Sequence, residues 1–220
     1  YVESSTASRP DPERLYNIET GYRGDFGQFF VGAYRYAMLY EDQLVVTGQI
    51  NDVGGVVRQN VPKSSRLGIE LEGGVSITSN LSWAANATFS KNKIENYTEF
   101  IDDYDNGGQI ERNFSDTDIA LSPSIIANSI LGFSDNGLTT ELTTKYVSKQ
   151  YLDNTQNDAR SIDPYLVNDL RISYAFTNLS FAKGNTANLM INNLLDEKYE
   201  TNGYTFGYVF GGEQRFNYYY

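Results

Sequence analysis

From Arg66 to Asn92 apolar and polar positions alternate one for one. Leu67, Ile69, Leu71, Val75 and Ile77 are interleaved with Arg66, Gly68, Glu70, Glu72, Gly74 and Ser76. After Thr78-Ser79-Asn80 the alternation resumes, with Leu81, Trp83, Ala85, Ala87 and Phe89 against Ser82, Ala84, Asn86, Thr88 and Ser90. A period of two is the signature of β-strand, because successive side chains point to opposite faces. The segment therefore predicts a hairpin with one greasy and one polar face. Each arm is about ten residues or more, roughly what a tilted strand needs to cross a bilayer.

The pattern recurs along the chain. Glu13 to Arg23 sets Tyr16, Ile18, Thr20 and Tyr22 against Asn17, Glu19, Gly21 and Arg23, and a Gly24-Asp25-Phe26-Gly27 turn follows. Gln28 to Leu44 places Phe30, Tyr34, Tyr36, Met38 and Tyr40 on one face and a mixed set on the other. Val45 to Pro62 reads as a connection, as does the polar, acidic stretch from Ser90 to about Asp116. Ile119 to Phe133 reads as a strand blemished by Pro123, a residue suited to an edge or a bulge. Ser134-Asp135-Asn136-Gly137 is a strong tight-turn signal. Leu138 to Tyr151 follows, with Leu138, Leu142 and Tyr146 opposite Glu141, Lys145 and Lys149. A polar stretch from Asp153 to Pro164 leads to Val167–Phe176, where Leu170, Ile172, Tyr174 and Phe176 oppose Asp169, Arg171 and Ser173. A short Thr177–Asn185 link precedes a strand around Ala187 to Leu195, and a Tyr/Phe/Gly-rich tract runs from Tyr199 to Tyr220.

About eight strands result, joined by connections that alternate short and long. Outer-membrane barrels keep short turns on the periplasmic side and long loops outside, whereas a soluble sandwich has no reason to gather its long loops at one end. The expected fold is all-β, an antiparallel transmembrane β-barrel segment. Glu70, Glu72, Asn86, Glu141, Lys145, Asp169 and Arg171 share the polar face. Burying them in a dry core would cost several kcal/mol per unpaired ion, and a wet or plugged lumen avoids that. The competing reading is a soluble or surface β-sheet binding module, such as an adhesin or glycan-binding sandwich. There, Leu67, Ile69, Trp83, Phe89, Ile172 and Tyr174 would be buried against a second sheet.

Composition narrows the choice. The chain has 220 residues, a formal net charge of −11 and a mean hydropathy of −0.46, with no apolar run long enough for a membrane-spanning helix. Barrel strands conceal their apolarity in alternation. The 18 Tyr and 12 Phe against one Trp suit sites with one apolar and one wet side. Cysteine and histidine are absent. That removes disulfides, thiolate and imidazole metal ligands and the usual general base. The acidic balance disfavours a nucleic-acid partner. The sequence implies no enzyme, no cofactor and no metal.

Three stretches resemble TonB-dependent outer-membrane receptors. Pro12-Glu13-Arg14-Leu15-Tyr16-Asn17-Ile18-Glu19 is similar to a barrel strand of that family, and Arg66-Leu67-Gly68-Ile69-Glu70-Leu71-Glu72 with Ala85-Asn86-Ala87-Thr88 to a strand pair. Ile191-Asn192-Asn193-Leu194-Leu195-Asp196-Glu197-Lys198-Tyr199, the most specific of the three, resembles the segment before the last extracellular loop. Asn51-Asp52-Val53-Gly54 and Tyr146 to Asn154 resemble receptors of the Bacteroidetes in style.

The resemblance implies part of a plugged 22-stranded barrel in the cell outer membrane. Its partners would be outer-membrane lipid, its own plug domain, the TonB complex reached through an N-terminal part, and a scarce ligand, most often a ferric siderophore. Against that pattern the chain lacks plug, TonB box and closing strand, and it opens on Tyr1 without a signal peptide. The expectation is therefore residues 1–220 as the C-terminal portion of the barrel, beginning and ending on the outer side, with two open edges that lipid does not tolerate.

Two groups are candidate ligand contacts. Tyr204, Phe206, Tyr208 and Phe210 lie in a Gly-rich tract whose rings could stack on a catechol, a porphyrin or a sugar, or form an interfacial girdle. Asp102, Asp103 and Asp105 invite a calcium reading, but counting from Asp103 the twelfth position is Phe114 where an EF-hand needs Glu. A solvated, mobile outer loop is the expectation there. Glu70, Glu72, Glu141, Lys145, Asp169 and Arg171 are expected to face a plug, because a plugged lumen must pair its buried charge.

Overall fold

The computed structural model describes residues 10–50, 55–176 and 184–219. The sequence motif Asn51–Gly54, most of the link after Phe176 and Tyr220 lie outside the described residues. One antiparallel wall runs in the order β1 (Arg14–Asp25), β2 (Phe29–Ile50), β3 (Val56–Ser76), β4 (Leu81–Asp103), β6 (Ile125–Asp135), β7 (Leu138–Val147), β10 (Tyr165–Phe176) and β11 (Asn185–Ile191). The intervening β5 (Gln109–Asp118) pairs with the far end of β4. The strands β8 (Gln150–Tyr151) and β9 (Ser161–Ile162) form a separate small ladder. A hairpin of β12 (Tyr204–Phe210) and β13 (Glu213–Tyr219) completes the described residues. Every wall strand corresponds to one anticipated from the alternation.

Each short turn has its reason in sequence. Asn136 and Gly137 both take positive φ, 44° and 85°, as a two-residue hairpin turn of the primed type requires. Between β3 and β4 the Thr78 Oγ1 accepts the Asn80 and Leu81 N–H groups at 3.2 and 3.0 Å, closing the turn locally.

The register fixes the faces, since residues opposite one another in an antiparallel pair share a side. Glu72 faces Gly32 and Asn86, Asn86 faces Asn128, Asn128 faces Lys145, and Glu141 faces Gly132 and Arg171. The polar series thus runs unbroken from β1 to β10. A cavity of about 610 Å³ lies on that face, the concave side of the wall, from Glu19 and Tyr34 through Glu70 to Ile126. The aromatic series Phe30, Tyr34, Tyr36 and Tyr40, whose side the sequence left open, shares it: Tyr34 lies opposite Glu70.

The convex face is greasy and uncovered. Leu67, Ile69, Trp83, Phe89 and Tyr174 are 42–49 % exposed, and Ile172 is half-buried. No second sheet among the described residues covers them, which removes the sandwich reading. Arg35 stands in the convex series opposite Ile69 and Thr20, and Arg14, Glu41, Lys63, Lys91 and Lys93 share that side toward the long-loop end. No helix among the described residues is long and apolar enough to cross a membrane.

The structure corrects the extent of several elements. The connection Val45–Pro62 is largely strand, as β2 and β3 run for 22 and 21 residues. The acidic stretch after Ser90 is also strand, since β4 runs 23 residues and folds back as β5. Pro123 precedes β6 rather than interrupting it, and β7 stops at Val147.

The reason is a break in the period of two. Asp42 and Asp116 adopt left-handed φ of 54° and 53° within or beside these ladders. Beyond them the buried series changes parity, from Asn92 and Ile94 to Tyr97, Glu99, Ile101 and Asp103 on β4. The extensions carry a buried apolar core of Val45, Val61, Ile94, Tyr97 and Ile119, with Phe114 packed against them, while the ends of β7 and β10 hold a smaller cluster of Val147, Tyr165 and Val167.

Candidate functional site

The candidate residues fall into a concave wall and a cluster at the long-loop end. On the wall, Glu72 Oε1 accepts the Tyr34 hydroxyl at 2.8 Å and forms an ion pair with Arg23, whose guanidinium lies 4.6 Å from the Phe30 ring. Arg171 and Glu141 face each other across the β7–β10 ladder at 3.8 Å. Asp169 Oδ1 accepts the Asn193 N–H at 2.8 Å and so holds the chain as it leaves β11. Glu70 lines the concave cavity together with Arg66, whose Nη1 donates to Ser122 Oγ at 3.1 Å. Lys145 has no ion-pair partner among the described residues. The charged side chains thus share one face, but Arg171 and Glu141 remain about half exposed, leaving their hydrogen-bonding capacity open to another surface.

At the loop end the two candidate groups meet, which sequence did not foresee. β12 docks in parallel on the end of β4, with Tyr208 beside Asp102 and Val209 beside Asp103. Tyr104 N–H donates to Val209 O at 3.0 Å, and the Tyr104 and Tyr208 rings lie 5.7 Å apart. Asp105 clamps the hairpin tip, its carboxylate accepting the Gly211 and Gly212 N–H groups at 2.8 and 2.7 Å. Both glycines take positive φ, which aims these N–H groups at one acceptor. The tract expected as loop is therefore a hairpin, and Phe206 and Tyr208 pack on each other at 5.5 Å. Phe210 is left exposed near Arg215.

Asp103 is spent within its own turn, accepting from Asn106 Nδ2 and Asn106 N–H at 3.1 Å and from Asp105 N–H at 3.0 Å. The Asn106 side chain, then the backbone donors, hold its carboxyl below the ordinary range. A group lowered on folding contributes stability present above its unfolded value of about 3.9 and lost as pH falls through the lower folded value. Acidification below about pH 4 should therefore open the 103–106 turn first, and Asp103→Asn should remove that step. Amide exchange at Asn106 across a pH series measures both. The acidic turn is thus exposed but tied by its own hydrogen bonds, and no group of three or more Asp or Glu side chains placed to hold a metal ion occurs among the described residues.

Sequence reasoning missed the buried charges. Arg160, 4 % exposed, lies between Glu99 and Asp153, with Nη1 2.7 Å from Glu99 Oε1 and 2.5 Å from Asp153 Oδ2. The Phe216 ring of β13 covers its guanidinium at 4.4 Å. Burial, then the Asp153 and Glu99 carboxylates, push the neighbouring Tyr97 hydroxyl far up. Asn154, fully buried, donates to Val46 O at 2.7 Å and accepts from Ala120 N–H at 2.8 Å. No local signal marks these residues, because Arg160 and Glu99 are 61 residues apart.

An open wall, convex-greasy and concave-polar, with its long connections folded together at one end, now has a match. The family model "TonB dependent receptor-like, beta-barrel" matches residues 3–194. The chain belongs to this receptor barrel family. Among curated proteins, no relative matches. Solved structures of similar fold include the ferric yersiniabactin uptake receptor FyuA from Yersinia pestis, at 17 % identity and TM-score 0.59, covering 93 % of this chain and 28 % of that one. The siderophore receptor PiuA from Acinetobacter baumannii gives 20 % identity and TM-score 0.60, covering 87 % and 25 %. The copper transporter OprC gives 15 % and 0.62, covering 87 % and 26 %. These likenesses show the fold, and the chain spans about a quarter of the length of those structures.

The receptor barrel is a protein of the outer membrane. Its greasy convex face meets lipid, the short turns mark the periplasmic end, and the infolded extensions form the extracellular end.

Proposed function

We propose that the chain is a C-terminal portion of the wall of an outer-membrane importer of a scarce ligand, with a ferric siderophore as cargo. The loop-end cluster captures the ligand, the concave charges face a plug domain, and the TonB complex supplies the energy. The receptor family serves transport and not catalysis. The observation that carries this reading is the division of the receptor barrel into two faces. The convex side is apolar, and the concave side presents Glu70, Glu72, Glu141, Lys145, Asp169 and Arg171 to a second surface.

The aromatic hairpin at the long-loop end supports the cargo class, because Tyr204, Phe206 and Tyr208 are only half-buried there and keep part of their ring surface for a ligand. Combined alanine substitution of these three in the intact receptor is expected to weaken ferric-siderophore binding by ten-fold or more, about 1.4 kcal/mol. Titration of the purified receptor measures it, and unchanged affinity removes the hairpin from the ligand site. Uptake of radio-iron chelate by cells with and without the receptor tests the transport itself.

A further inference from the structure

Where the wall meets its extensions, the convex side is indented by a cavity of about 500 Å³. Tyr16 and Leu39, 57 % and 50 % exposed, give it an apolar lower part. Glu41, Lys63, Lys93, Glu95 and Asp116 give it a charged rim. The register sets the order: Tyr16 and Leu39 lie opposite each other, one row nearer the short-turn end than the facing pair Glu41 and Lys63.

The height of the cavity follows from β3. Lys63 stands about thirteen residues from Ser76 at the short-turn end, a rise of roughly 30–35 Å at ordinary strand spacing and barrel tilt. The apolar band of a membrane barrel is about 25 Å tall. Lys63 therefore stands at the level of the outer lipid head groups, and Tyr16 and Leu39 lie below it, toward the acyl chains.

Some of these charges are already used. Lys93 Nζ pairs with Asp118 at 3.0 Å and donates to Asp116 O at 2.9 Å, and Glu41 pairs with Arg14 at 3.7 Å. Lys63, Glu95 and Asp116 are exposed and have no ion-pair partner among the described residues. They leave one ammonium and two carboxylates beside an apolar slot. A head group bearing only phosphate would meet the two carboxylates, and one bearing only an amine would meet Lys63. A head group with both groups satisfies both signs. Its primary ammonium can donate to Glu95 and Asp116 while its phosphate accepts from Lys63.

We propose that this groove is a docking site for a membrane lipid with a phosphoethanolamine head group, its acyl chain lying along Tyr16 and Leu39. The occupant is a lipid and not a soluble phosphoamine, because the groove is continuous with the lipid-facing wall. The site is independent of what the receptor imports.

Native mass spectrometry of the intact receptor in detergent, titrated with phosphatidylethanolamine, phosphatidylglycerol and phosphatidylcholine, tests it. The first phosphatidylethanolamine should be held about ten-fold more tightly than either of the others, since phosphatidylglycerol has no ammonium and the quaternary ammonium of phosphatidylcholine has no N–H to donate. Lys63→Gln should weaken phosphatidylethanolamine by about ten-fold. Glu95→Gln with Asp116→Asn should weaken it likewise and strengthen phosphatidylglycerol, reversing the preference. Asparagine tolerates the left-handed φ of 53° at position 116. Soluble O-phosphoethanolamine in excess should not displace the lipid. Equal retention of the three lipids by wild type, or a preference for phosphatidylglycerol, overturns the site, as does a preference that survives both variants. Displacement by the soluble phosphoamine overturns the lipid as the occupant.

Discussion

Leu131→Arg should lower the stability of the folded receptor by about 2–4 kcal/mol, whereas Thr143→Arg, on the adjacent strand, should be close to neutral. Leu131 sits midway along β6 on the convex face, 40 % exposed, opposite Trp83 and Leu142. In water a guanidinium there would cost little. In the hydrocarbon layer it must be dehydrated or drag water inward. Thr143 lies opposite Ile130 and Asp169 on the concave face, where an arginine meets a carboxylate and the wet lumen. Denaturant titration of both variants in lipid or detergent gives the difference. Equal effects would mean that the convex face is not in lipid. The contrast is large because the pleat places neighbours in sequence in different solvents.

Arg160→Ala should be the most damaging single change in the extracellular half. It strands Glu99 and Asp153, 5 % and 2 % exposed, without a counter-charge, at a cost of about 3–5 kcal/mol. Glu99 Oε2 already lacks a hydrogen-bond partner, so it has nothing to fall back on. The loss should be local. Amides of β8, β9, β12 and β13 should exchange faster, while those of β6 and β7 hold, because Arg160 ties the 148–164 segment to β4 and carries Phe216 of β13. Glu99→Gln with Asp153→Asn and Arg160→Met should recover much of the loss. The amide oxygen then at position 153 would still accept the two Thr155 hydrogen bonds that the aspartate accepts at 2.9 and 2.7 Å. If Arg160→Ala loosened the wall as much as the loops, the triad would not be the local latch described.

The wall was legible because its logic is local. Leu67, Ile69 and Leu71 announce one face, and Glu70 and Glu72 the other, from spacing alone. Asn136-Gly137 announces its own turn. The face of Tyr34 and Tyr36 was not legible, as β2 has a mixed reverse side with Arg35 in it. Only pairing with Glu70 and Gly68 settles it. The extensions look like loops in sequence because Asp42 and Asp116 shift the parity of burial, and a period of two cannot be followed through a left-handed residue.

The sequence by itself determined the eight wall strands, the two faces of most of them, the short turns and the family resemblance, since each follows from residues within a few positions of one another. The tertiary structure alone decided what the long connections do. It brought Asp105 to Gly211 and Gly212 across more than a hundred positions, and Arg160 to Glu99 and Phe216. Such contacts depend on which loops the wall sets side by side. That placement is fixed by strand order and register, which no local pattern encodes.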